Sequence, residues 1–507
     1  MTAASVAGKS LVLGIDIGTG GTRALLVGPD GAIVRSATSA HAPFASPGPA
    51  WAEQDPADWW RACQEAVREV LTASGRAVSD ITCVGLSGQM HGAVLLDAQG
   101  TVVRPALIWC DQRTAVECRW LEETLGPRLL ELTCNPALTN FTLTKLLWVR
   151  THEPGAWARV RHLLLPKDYV RWRLSGTHAI DVADASGTLM LDVARRAWSR
   201  DILDAVGMDI SMLPEVFESP AICARVSADG ARATGLAPGT PIVAGAGDQA
   251  AGAIGMGITR PGAVSVTIGT SGVVFAATEK PTLDARGRLH TFCHAIPRRW
   301  HVMGVTQAAG LSLRWLRDQW GFSGNGDEVY QAMTKEAGQV PPGADGVLWA
   351  PYLMGERTPH RDPDVRAGLV GLSAAHTRGH VVRAVLEGVA FSLRDSFEIF
   401  ADLDIPVTNV RVGGGGARSA LWREIQAAVY GRDVSTVAAE EGAAYGAALL
   451  AGVGAGFWPS VDDACERVVR TAGTTSAPAG MQAAMNEQYV RYRRVYHALR
   501  GIYEPTL

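Results

Sequence analysis

The sequence lacks most of the features that assign a protein to a class at first sight. Its eight cysteines are scattered with no C-x-x-C pair, so neither a zinc knuckle nor a disulfide framework is indicated, and we expect buried thiols. No apolar run approaches the roughly 20 residues that a membrane helix needs. The formal net charge is -3, without the basic excess that a nucleic acid or a membrane surface selects. We therefore expect neither partner.

Three sequence signatures are also missing. Residues 1–10 have neither the apolar core nor the cleavage pattern of a signal peptide, so we expect the protein to be cytoplasmic. No G-x-x-x-x-G-K-[ST] pattern occurs, and no G-x-G-x-x-G pattern is followed by an acidic ribose ligand in a βαβ unit. A nucleotide site in this chain is therefore neither a P-loop nor a Rossmann crevice.

The length and an internal repeat indicate two similar domains. A chain of 507 residues is too long for one ordinary hydrophobic core. Two β-rich runs flank the glycine turn 18–21, and two more flank 269–272, so the same strand–turn–strand pattern recurs after about 250 residues. Between these hairpins, strands alternate with helices. The sequence predicts a duplicated α/β fold with two domains that face a cleft.

The individual elements are predicted from hydrophobic periodicity and turn signals. Strands are predicted at 11–15, 24–27, 81–87, 264–268, 273–276 and 410–412, and helices at 56–72, 114–125, 144–150, 307–320, 380–400, 421–430 and 481–500. Residues 471–480 are rich in Thr, Ser, Pro, Ala and Gly, which predicts a linker. The last helix has one stripe of apolar and tyrosine side chains, at Tyr489, Tyr492, Val495, Tyr496 and Leu499, and we expect this stripe to pack on the domains.

The glycine-rich turns suit the phosphate chain of a nucleotide. At 18–21 and 269–272, small residues leave backbone N–H groups accessible where a Cβ would block approach. One such tip is more often only a turn, but two that converge from two domains are the arrangement of actin-like ATPases and their kinase relatives. Asp16 would then hold Mg²⁺ through its water ligands. A third run, 413–416, lies between a strand and a helix; the alternative there is a flexible linker.

Asp248 is the candidate catalytic base. It stands among small residues, in the segment AGAGDQAAG at 244–252, which clears space around one carboxylate. Phosphoryl transfer to a hydroxyl needs a group that orients the hydroxyl and accepts its proton, and Asp is the usual choice. The alternative is an Asp that caps the helix predicted at 249–254, and the two roles are compatible. At a helix start, we expect the carboxylate to stay ionised.

Polar side chains follow two predicted strands in the first half. Gln89 and His91 come directly after the strand 81–87, and Asp111 and Arg113 lie at another strand end. Ligands of α/β folds bind at strand ends, and a polyol needs rigidly placed hydrogen-bonding partners. A lone histidine at such a position is more often a structural residue, so both interpretations of His91 stay open.

Several segments together resemble the FGGY family of carbohydrate kinases, from about Leu11 to about Gly452. NFTLTKLLWV at 140–149 resembles the first signature of the family. The segment 367–387 resembles the second, with matching residues at the expected spacings: Gly371, His380, Ala384 and Glu387. QMHGA at 89–93, LLPKDY at 164–169 and GERTPH at 355–360 resemble the branch of the family that phosphorylates D-xylulose.

The resemblance implies two ribonuclease-H-like domains, of the actin-like ATPase type, facing a central catalytic cleft. It implies a sugar-binding domain at 10–254, a nucleotide-binding domain at 255–470, and a linker and helix at 471–507 packed on them. Asp248 would deprotonate the terminal hydroxyl of D-xylulose for in-line attack on the γ-phosphate of ATP, with Mg²⁺ as cofactor. The candidate site residues are then Met90, His91, Gln89, Asp111 and Gln249 for the sugar; Thr19, Gly20, Arg23, Thr270, Ser271, Gly310, Gly415 and Gly416 for the nucleotide; and Asp16 for Mg²⁺.

Two positions depart from the pattern of the family. Gln249 follows the base, and Cys110 precedes Asp111, where the family often has Asn at both places. Polar changes of this kind alter selectivity, so the nearest alternative is a kinase for another ketose or polyol, such as ribulose, an alditol or glycerol. Two different classes of protein also stay open: an actin-like or chaperone-like ATPase without a sugar acceptor, and a sugar sensor, which would be expected to lose the acid at 248. The oligomeric state is open as well, and a homodimer is one possibility.

Overall fold

The computed structural model describes residues 10–324, 326–439 and 441–503. The strands in this part of the chain are β1 (Leu11–Ile17), β2 (Gly21–Val27), β3 (Ile33–Ala40), β4 (Glu53–Gln54), β5 (Ile81–Gly88), β6 (Val94–Leu96), β7 (Ala106–Leu107), β8 (His162–Leu164), β9 (Ala179–Asp181), β10 (Leu191–Asp192), β11 (Ala197–Trp198), β12 (Glu215–Phe217), β13 (Ile222–Arg225), β14 (Pro241–Val243), β15 (Ala246–Gly247), β16 (Gly262–Ile268), β17 (Gly272–Thr278), β18 (His290–Cys293), β19 (Trp300–Thr306), β20 (Leu348–Ala350), β21 (Gly368–Val370), β22 (Val407–Gly414), β23 (Val434–Val437) and β24 (Thr471–Thr475). The helices are α1 (Pro56–Ser74), α2 (Ala115–Leu125), α3 (Pro127–Thr133), α4 (Thr142–His152), α5 (Pro154–Trp157), α6 (Pro166–Ser175), α7 (Val182–Ser186), α8 (Arg200–Val206), α9 (Ala228–Thr234), α10 (Asp248–Gly255), α11 (Gly310–Gln319), α12 (Asp327–Ala337), α13 (Arg378–Asp402), α14 (Ala420–Tyr430), α15 (Gly442–Gly454), α16 (Val461–Val468) and α17 (Met481–Tyr503).

The first large sheet contains the hairpin predicted near the start of the chain. Its strand order is β13-β14-β5-β1-β2-β3, with β15 also paired to β5. β1 runs antiparallel to β2 and parallel to β5, and β2 runs antiparallel to β3. β1 and β5 are apolar almost throughout because both of their faces are covered. Helices α1, α6 and α9 pack on one face, where Trp59, Val67 and Leu174 belong to a buried core.

The second large sheet repeats this topology. Its strand order is β18-β19-β17-β16-β22-β23-β24. β16 runs antiparallel to β17 and parallel to β22, and β17 runs antiparallel to β19. The strands β16, β17, β22 and β19 therefore correspond to β1, β2, β5 and β3. Helices α11, α13, α14 and α17 share one buried core with this sheet. The prediction of a duplicated α/β fold is confirmed.

Two helices join the halves of the molecule. α10 follows β15, and α15, from the second half of the chain, packs on α10, β1 and β5. A Cβ at Gly446 would lie 1.8 Å from the carbonyl oxygen of Ala251, and one at Gly85 would lie 2.0 Å from that of Ala447. Only glycine fits such close backbone contacts. The two halves are therefore held together by helix backbones in direct contact.

The region between β5 and β14 also contacts the second sheet. Phe141, just before α4, and Phe292 of β18 belong to one buried core. The side-chain amide of Asn135 donates a hydrogen bond to the carbonyl oxygen of Thr291, at 2.7 Å. The second sheet therefore forms a wall beside the place where strands of the first sheet end.

Most predicted elements match observed ones to within a few residues, and one segment differs. The linker predicted at 471–480 contains β24, which pairs antiparallel with β23 and extends the second sheet, because its threonine-rich sequence suits an exposed edge strand. The C-terminal helix packs on the second domain, where the hydroxyl of Tyr489 donates to Asp395 at 2.6 Å. All eight cysteines are free, and no helix in the described ranges is long and apolar enough to cross a membrane.

Candidate active site

Three parallel strand ends bring predicted site residues together at one edge of the first sheet. β1, β5 and β15 lie side by side, with Gly88 of β5 level with Gly247 of β15. Asp16 lies at the end of β1, residues 89–91 follow β5, and Asp248 follows β15. This edge, at the carboxyl ends of parallel strands, is where α/β folds bind ligands.

The environment of Asp248 suits a general base. Gly247 is the N-cap of α10 and Asp248 is the first helical residue without a side-chain capping bond, so the helix-cap alternative is wrong. Burial and then the charge of Asp16 raise the pKa of Asp248 to about 7, against hydrogen bonding from Gln249. The expectation that this carboxylate stays ionised at neutral pH is therefore corrected. A pKa close to the working pH is favourable for proton transfer.

Asp16 and Asp248 fit a divalent cation. Oδ1 of Asp16 is buried without a hydrogen-bond partner, and burial raises the pKa of Asp16 to about 6. Both carboxylates have raised pKa values, and a cation placed between them and a bound triphosphate would favour their ionised forms. Among the residues that the structure describes, no group of three or more His, Cys, Asp or Glu side chains could hold a metal ion. A cation here would therefore keep most of its water ligands, as Mg²⁺ does.

His91 offers one ring nitrogen to a substrate. Its backbone has a φ of 66°, a strained value for a residue other than glycine. Nδ1 lies 2.7 Å from the carbonyl oxygen of Gly187, which requires a proton on Nδ1 and leaves Nε2 as an acceptor for a hydroxyl donor. Burial and the charge of Lys145 lower the pKa of His91 to about 3, so the ring is neutral. Met90 packs beside it against Gly247.

Gln89 supports the first hairpin tip. Its side chain is 1% exposed, and its amide donates to Oε1 of Gln54 at 2.9 Å. Gln54 in turn donates to the carbonyl oxygen of Thr19 at 2.8 Å, and the hydroxyl of Thr19 accepts from Nε1 of Trp109 at 2.9 Å. Gln89, a predicted sugar contact, therefore belongs to the network that holds the tip in place.

Asp111 is also committed to neighbouring groups. Its side chain is fully buried, and Oδ2 accepts from the backbone N–H of Ala52 at 2.7 Å and from Nη2 of Arg113 at 2.6 Å. The guanidinium of Arg113 lies on the ring of Trp51, 3.8 Å from its centroid. This ion pair leaves Asp111 no free oxygen for a sugar, so the geometry favours a structural role. Gln249 is half-buried beside Asp248.

Four predicted nucleotide residues line one cavity of about 330 Å³ in the second domain. These are Thr270, Gly310, Gly415 and Gly416. Leu313, Tyr330 and Trp422 provide apolar and aromatic surface in the same cavity, and Asp327, Gln331 and Arg418 provide polar groups. A mostly apolar pocket with a few polar groups is typical of a small-molecule site. The glycine run 413–416 connects β22 to α14 through a short 3₁₀ turn, so the flexible-linker alternative is wrong.

Three glycines in these loops are not required by the fold. Gly20, Gly269 and Gly415 have no left-handed backbone conformation. A Cβ at Gly20 would meet nothing within 4 Å, and at Gly269 or Gly415 the nearest atom would be 3.7 Å away. The protein itself would therefore accommodate a side chain at each position. Their missing Cβ atoms leave room for a ligand that approaches the backbone closely.

The remaining predicted nucleotide residues do not line this cavity. Thr19, Gly20 and Arg23 lie at the tip and second strand of the first hairpin, and Ser271 lies at the tip of the second. Arg23 forms an ion pair with Glu441, which directly precedes α15, at 2.5 Å. In this conformation, Arg23 links the two halves of the chain.

A buried charge cluster lies beside Gly247, the residue before the base. Its members are Lys167, Asp168, Arg171, Asp181 and Asp184, all of them fully buried. Nζ of Lys167 lies 2.7 or 2.8 Å from one oxygen of each of the three carboxylates. Oδ1 of Asp184 would lie 3.2 Å from a Cβ at Gly247, the residue before the base. The cluster therefore supports the backbone that carries Asp248.

Two cations beside His91 were not predicted as site residues. The charges of Lys145 and Arg357 both oppose protonation of its ring. Each stands in a segment that carries the family resemblance, 140–149 and 355–360. A basic residue inside a motif is the signal that could have identified them, but the motif alone does not indicate which residues they approach.

Two facing α/β domains, one with paired carboxylates at its strand ends and the other with a glycine-lined cavity, form the architecture of a two-domain kinase. Residues 11–255 match the N-terminal domain of the FGGY family of carbohydrate kinases, and residues 264–455 match its C-terminal domain. The chain therefore belongs to the FGGY family of carbohydrate kinases. The predicted family, the predicted fold class and the assignment as a sugar kinase are confirmed.

Known relatives match this chain over most of its length. It is 38% identical to the xylulose kinase of Bacillus subtilis, over 98% of this chain and 97% of that protein. It is 39% identical to the xylulose kinase of Escherichia coli, over 88% and 90%. A crystal structure described as a xyloylose kinase from Brucella ovis superposes with a TM-score of 0.91 at 36% identity, covering 97% of this chain and all of that one.

Proposed function

We propose that this carbohydrate kinase transfers the γ-phosphoryl group of ATP to the terminal hydroxyl of D-xylulose, which yields D-xylulose 5-phosphate. Xylulose kinases that are 38% and 39% identical over most of the chain support the choice of sugar. The observation that carries the chemistry is the half-buried Asp248 carboxylate, which follows β15 at the sheet edge that it shares with Asp16 and residues 89–91.

In the proposed reaction, Asp248 accepts the proton of the attacking hydroxyl. Its raised pKa makes it a proton acceptor matched to neutral pH. Neutral His91, with its free Nε2, accepts a hydrogen bond from another hydroxyl of the sugar and fixes its orientation, while Met90 supplies apolar contact. The terminal oxygen then attacks the γ-phosphorus in line, and ADP leaves.

The nucleotide is proposed to occupy the cavity between β16, α11 and α14. The adenosine part fits the wall formed by Leu313, Tyr330 and Trp422, and the phosphates run along Thr270 and the glycines of both loops towards Asp16. Mg²⁺, held by Asp16 through water, would neutralise charge on the phosphates. On this proposal, 10–254 binds the sugar, 255–470 binds the nucleotide, and 471–507 supports the second domain.

The test is coupled ADP release by the purified protein with ATP and Mg²⁺. The acceptors are D-xylulose, D-ribulose, L-ribulose, xylitol, D-arabinitol and glycerol. Asp248→Ala is expected to lower turnover on the preferred sugar by about 10² to 10⁴-fold, because the base is lost. Asp229→Ala is the matched control, because Asp229 also lies in the first turn of a helix but its side chain is 81% exposed.

Each outcome decides between the candidate functions. Turnover that is highest on D-xylulose and is lost only in Asp248→Ala supports the proposal. Preference for another polyol would keep the kinase reaction and reject D-xylulose, and Cys110 and Gln249 would then be the first pocket positions to exchange. ADP release that no acceptor stimulates would favour an ATPase without a sugar substrate.

A further inference from the structure

Arg357 presents an unpaired guanidinium at the boundary between the two domains. Within the described residues, its side chain makes no hydrogen bond or ion pair. The adjacent carboxylate, Glu356, is committed elsewhere: Oε1 accepts from the backbone N–H groups of Gln307 and Arg357, and Oε2 from the hydroxyl of Ser392. A guanidinium has five N–H donors, and the side chain of Arg357 is only half-buried, with no nitrogen among the enclosed atoms that lack a partner. These donors are therefore available to a ligand.

The loop that carries Arg357 is fixed on the second sheet. The backbone N–H of Thr358 donates to the carbonyl oxygen of Val305, and the N–H of Val305 donates to the hydroxyl of Thr358, both at 3.0 Å. That hydroxyl donates in turn to the carbonyl oxygen of Arg288, just before β18, at 2.7 Å. Arg357 is thus held at the strands that form the wall beside the proposed sugar site.

Rings from both domains meet at that wall. The ring of His290, in β18, lies 5.6 Å from that of Phe141, measured between centroids, and Phe141 lies 5.0 Å from His91. The charge of Arg357 contributes to lowering the pKa values of His91, His290 and Lys145. Because the neighbouring Thr358 is hydrogen-bonded to Arg288, two residues before His290, Arg357 lies near the rings that surround His91.

Of the two cations in this region, only Arg357 has donors to spare. Nζ of Lys145 donates to the carbonyl oxygens of Thr139, Asn140 and Phe141, which uses all three of its protons. Arg357 and Asp248 also stand on different elements: the loop of Arg357 is hydrogen-bonded to the backbone just before β18 of the second sheet, whereas Asp248 begins α10 after β15 of the first sheet.

We propose that Arg357 is a substrate-binding residue that the second domain contributes to the sugar site, with its guanidinium donating to the C1 hydroxyl and the C2 carbonyl of the ketose. This inference rests on the proposed function. The terminal hydroxyl lies at Asp248, so the opposite end of the sugar is the end that reaches a cation beside His91. Two adjacent oxygens match the two-pronged geometry of a guanidinium. The sugar site is then complete only when both domains are in contact.

The experiment compares Arg357→Met and Arg357→Lys with the wild-type enzyme. For D-xylulose at saturating ATP, kcat/KM is expected to fall about 10- to 100-fold in the Met variant, as for loss of a charged hydrogen bond. The Lys variant should retain part of the activity, because it keeps the charge without the two-pronged geometry. Arg366→Met, in the same loop with an exposed side chain that donates to carbonyl oxygens of 363 and 365, is the matched control and should behave as the wild type.

An acceptor without the C1 hydroxyl tests the proposed contact. With 1-deoxy-D-xylulose, the wild type should lose activity, and the further loss caused by Arg357→Met should be several-fold smaller than with D-xylulose. The KM for ATP and the thermal midpoint should stay close to wild type, which excludes misfolding. An unchanged kcat/KM for D-xylulose, a parallel rise in the KM for ATP, or an equal loss with both sugars would overturn the inference. Absence of turnover by the wild type would instead reject the proposed function.

Discussion

Asp248→Asn is expected to give an inactive enzyme that is more stable than the wild type at pH 8. Asparagine keeps the shape of the side chain and removes the charge that burial and Asp16 disfavour. Turnover should fall by about 10² to 10⁴-fold because the base is lost. A catalytic carboxylate in such a place lowers stability for the sake of function.

The magnitude follows from the pKa in the two states. A pKa of about 7 in the folded protein, against 3.8 in the unfolded chain, means that ionisation costs the folded state up to about 4 kcal/mol. The full cost applies above pH 7, where both states are ionised. It decreases as the pH falls from 7 towards 3.8, because the folded protein takes up the proton first, and it vanishes below that range. The Asn variant never incurs this cost.

The assay is urea unfolding of both proteins at pH 8 and pH 5, in EDTA and without nucleotide. The stability gained by the variant at pH 8 should shrink to less than half at pH 5. Added Mg²⁺ should reduce the gain at pH 8, because the cation stabilises the paired carboxylates of the wild type alone. A variant that is equally or less stable at pH 8 would falsify the assignment of Asp248 as a carboxyl of raised pKa.

Three further results are expected. In the wild type, kcat/KM should rise about tenfold per pH unit up to about pH 7 and then level off, because the base must be ionised; a flat profile from pH 5 to 8 would contradict this. Gly446→Ala should destabilise the protein by about 1–3 kcal/mol or more, because its Cβ would meet the carbonyl oxygen of Ala251. The control is Gly252→Ala in α10, where a Cβ has free space, and it should change the thermal midpoint little. Lys167→Met should cost about 3–5 kcal/mol in urea unfolding, because three buried carboxylates would be left with Arg171 alone; a loss under 1 kcal/mol would show that the cluster rearranges.

The repeated hairpins were predictable because they are local. β1 and β2, and β16 and β17, lie within a few residues of the predicted ends, since a short glycine turn between apolar runs leaves few other arrangements. Features that depend on distant pairing were not predictable. β24 is a strand because it pairs with the edge of β23. α15 packs on the first sheet although it belongs to the second half of the chain.

The same distinction between local and distant features applies to the candidate site. Asp16, residues 89–91 and Asp248 meet because the carboxyl ends of neighbouring parallel strands share one edge, which a strand pattern predicts. The orientation of individual side chains follows from partners that the pattern does not reveal. Gln89 donates a hydrogen bond to Gln54, and Asp111 accepts one from Arg113. Arg357 comes from a loop more than 200 residues further along the chain.

The helix that begins with the base also ends at the contact between the two halves of the chain. α10 has eight residues, so it is roughly 12 Å long, with Asp248 at one end and Gly255 at the other, where a Cβ would lie 2.5 Å from the carbonyl oxygen of Gly442 in α15. A rotation of α10 by about 10° around its contact with α15 would therefore move the carboxylate of Asp248 by roughly 2 Å. Proton transfer needs alignment much finer than that. A shift of α15 against the first sheet would therefore move the base, and we expect substitution of Gly255 to alter the rate although this glycine lies at the far end of the helix.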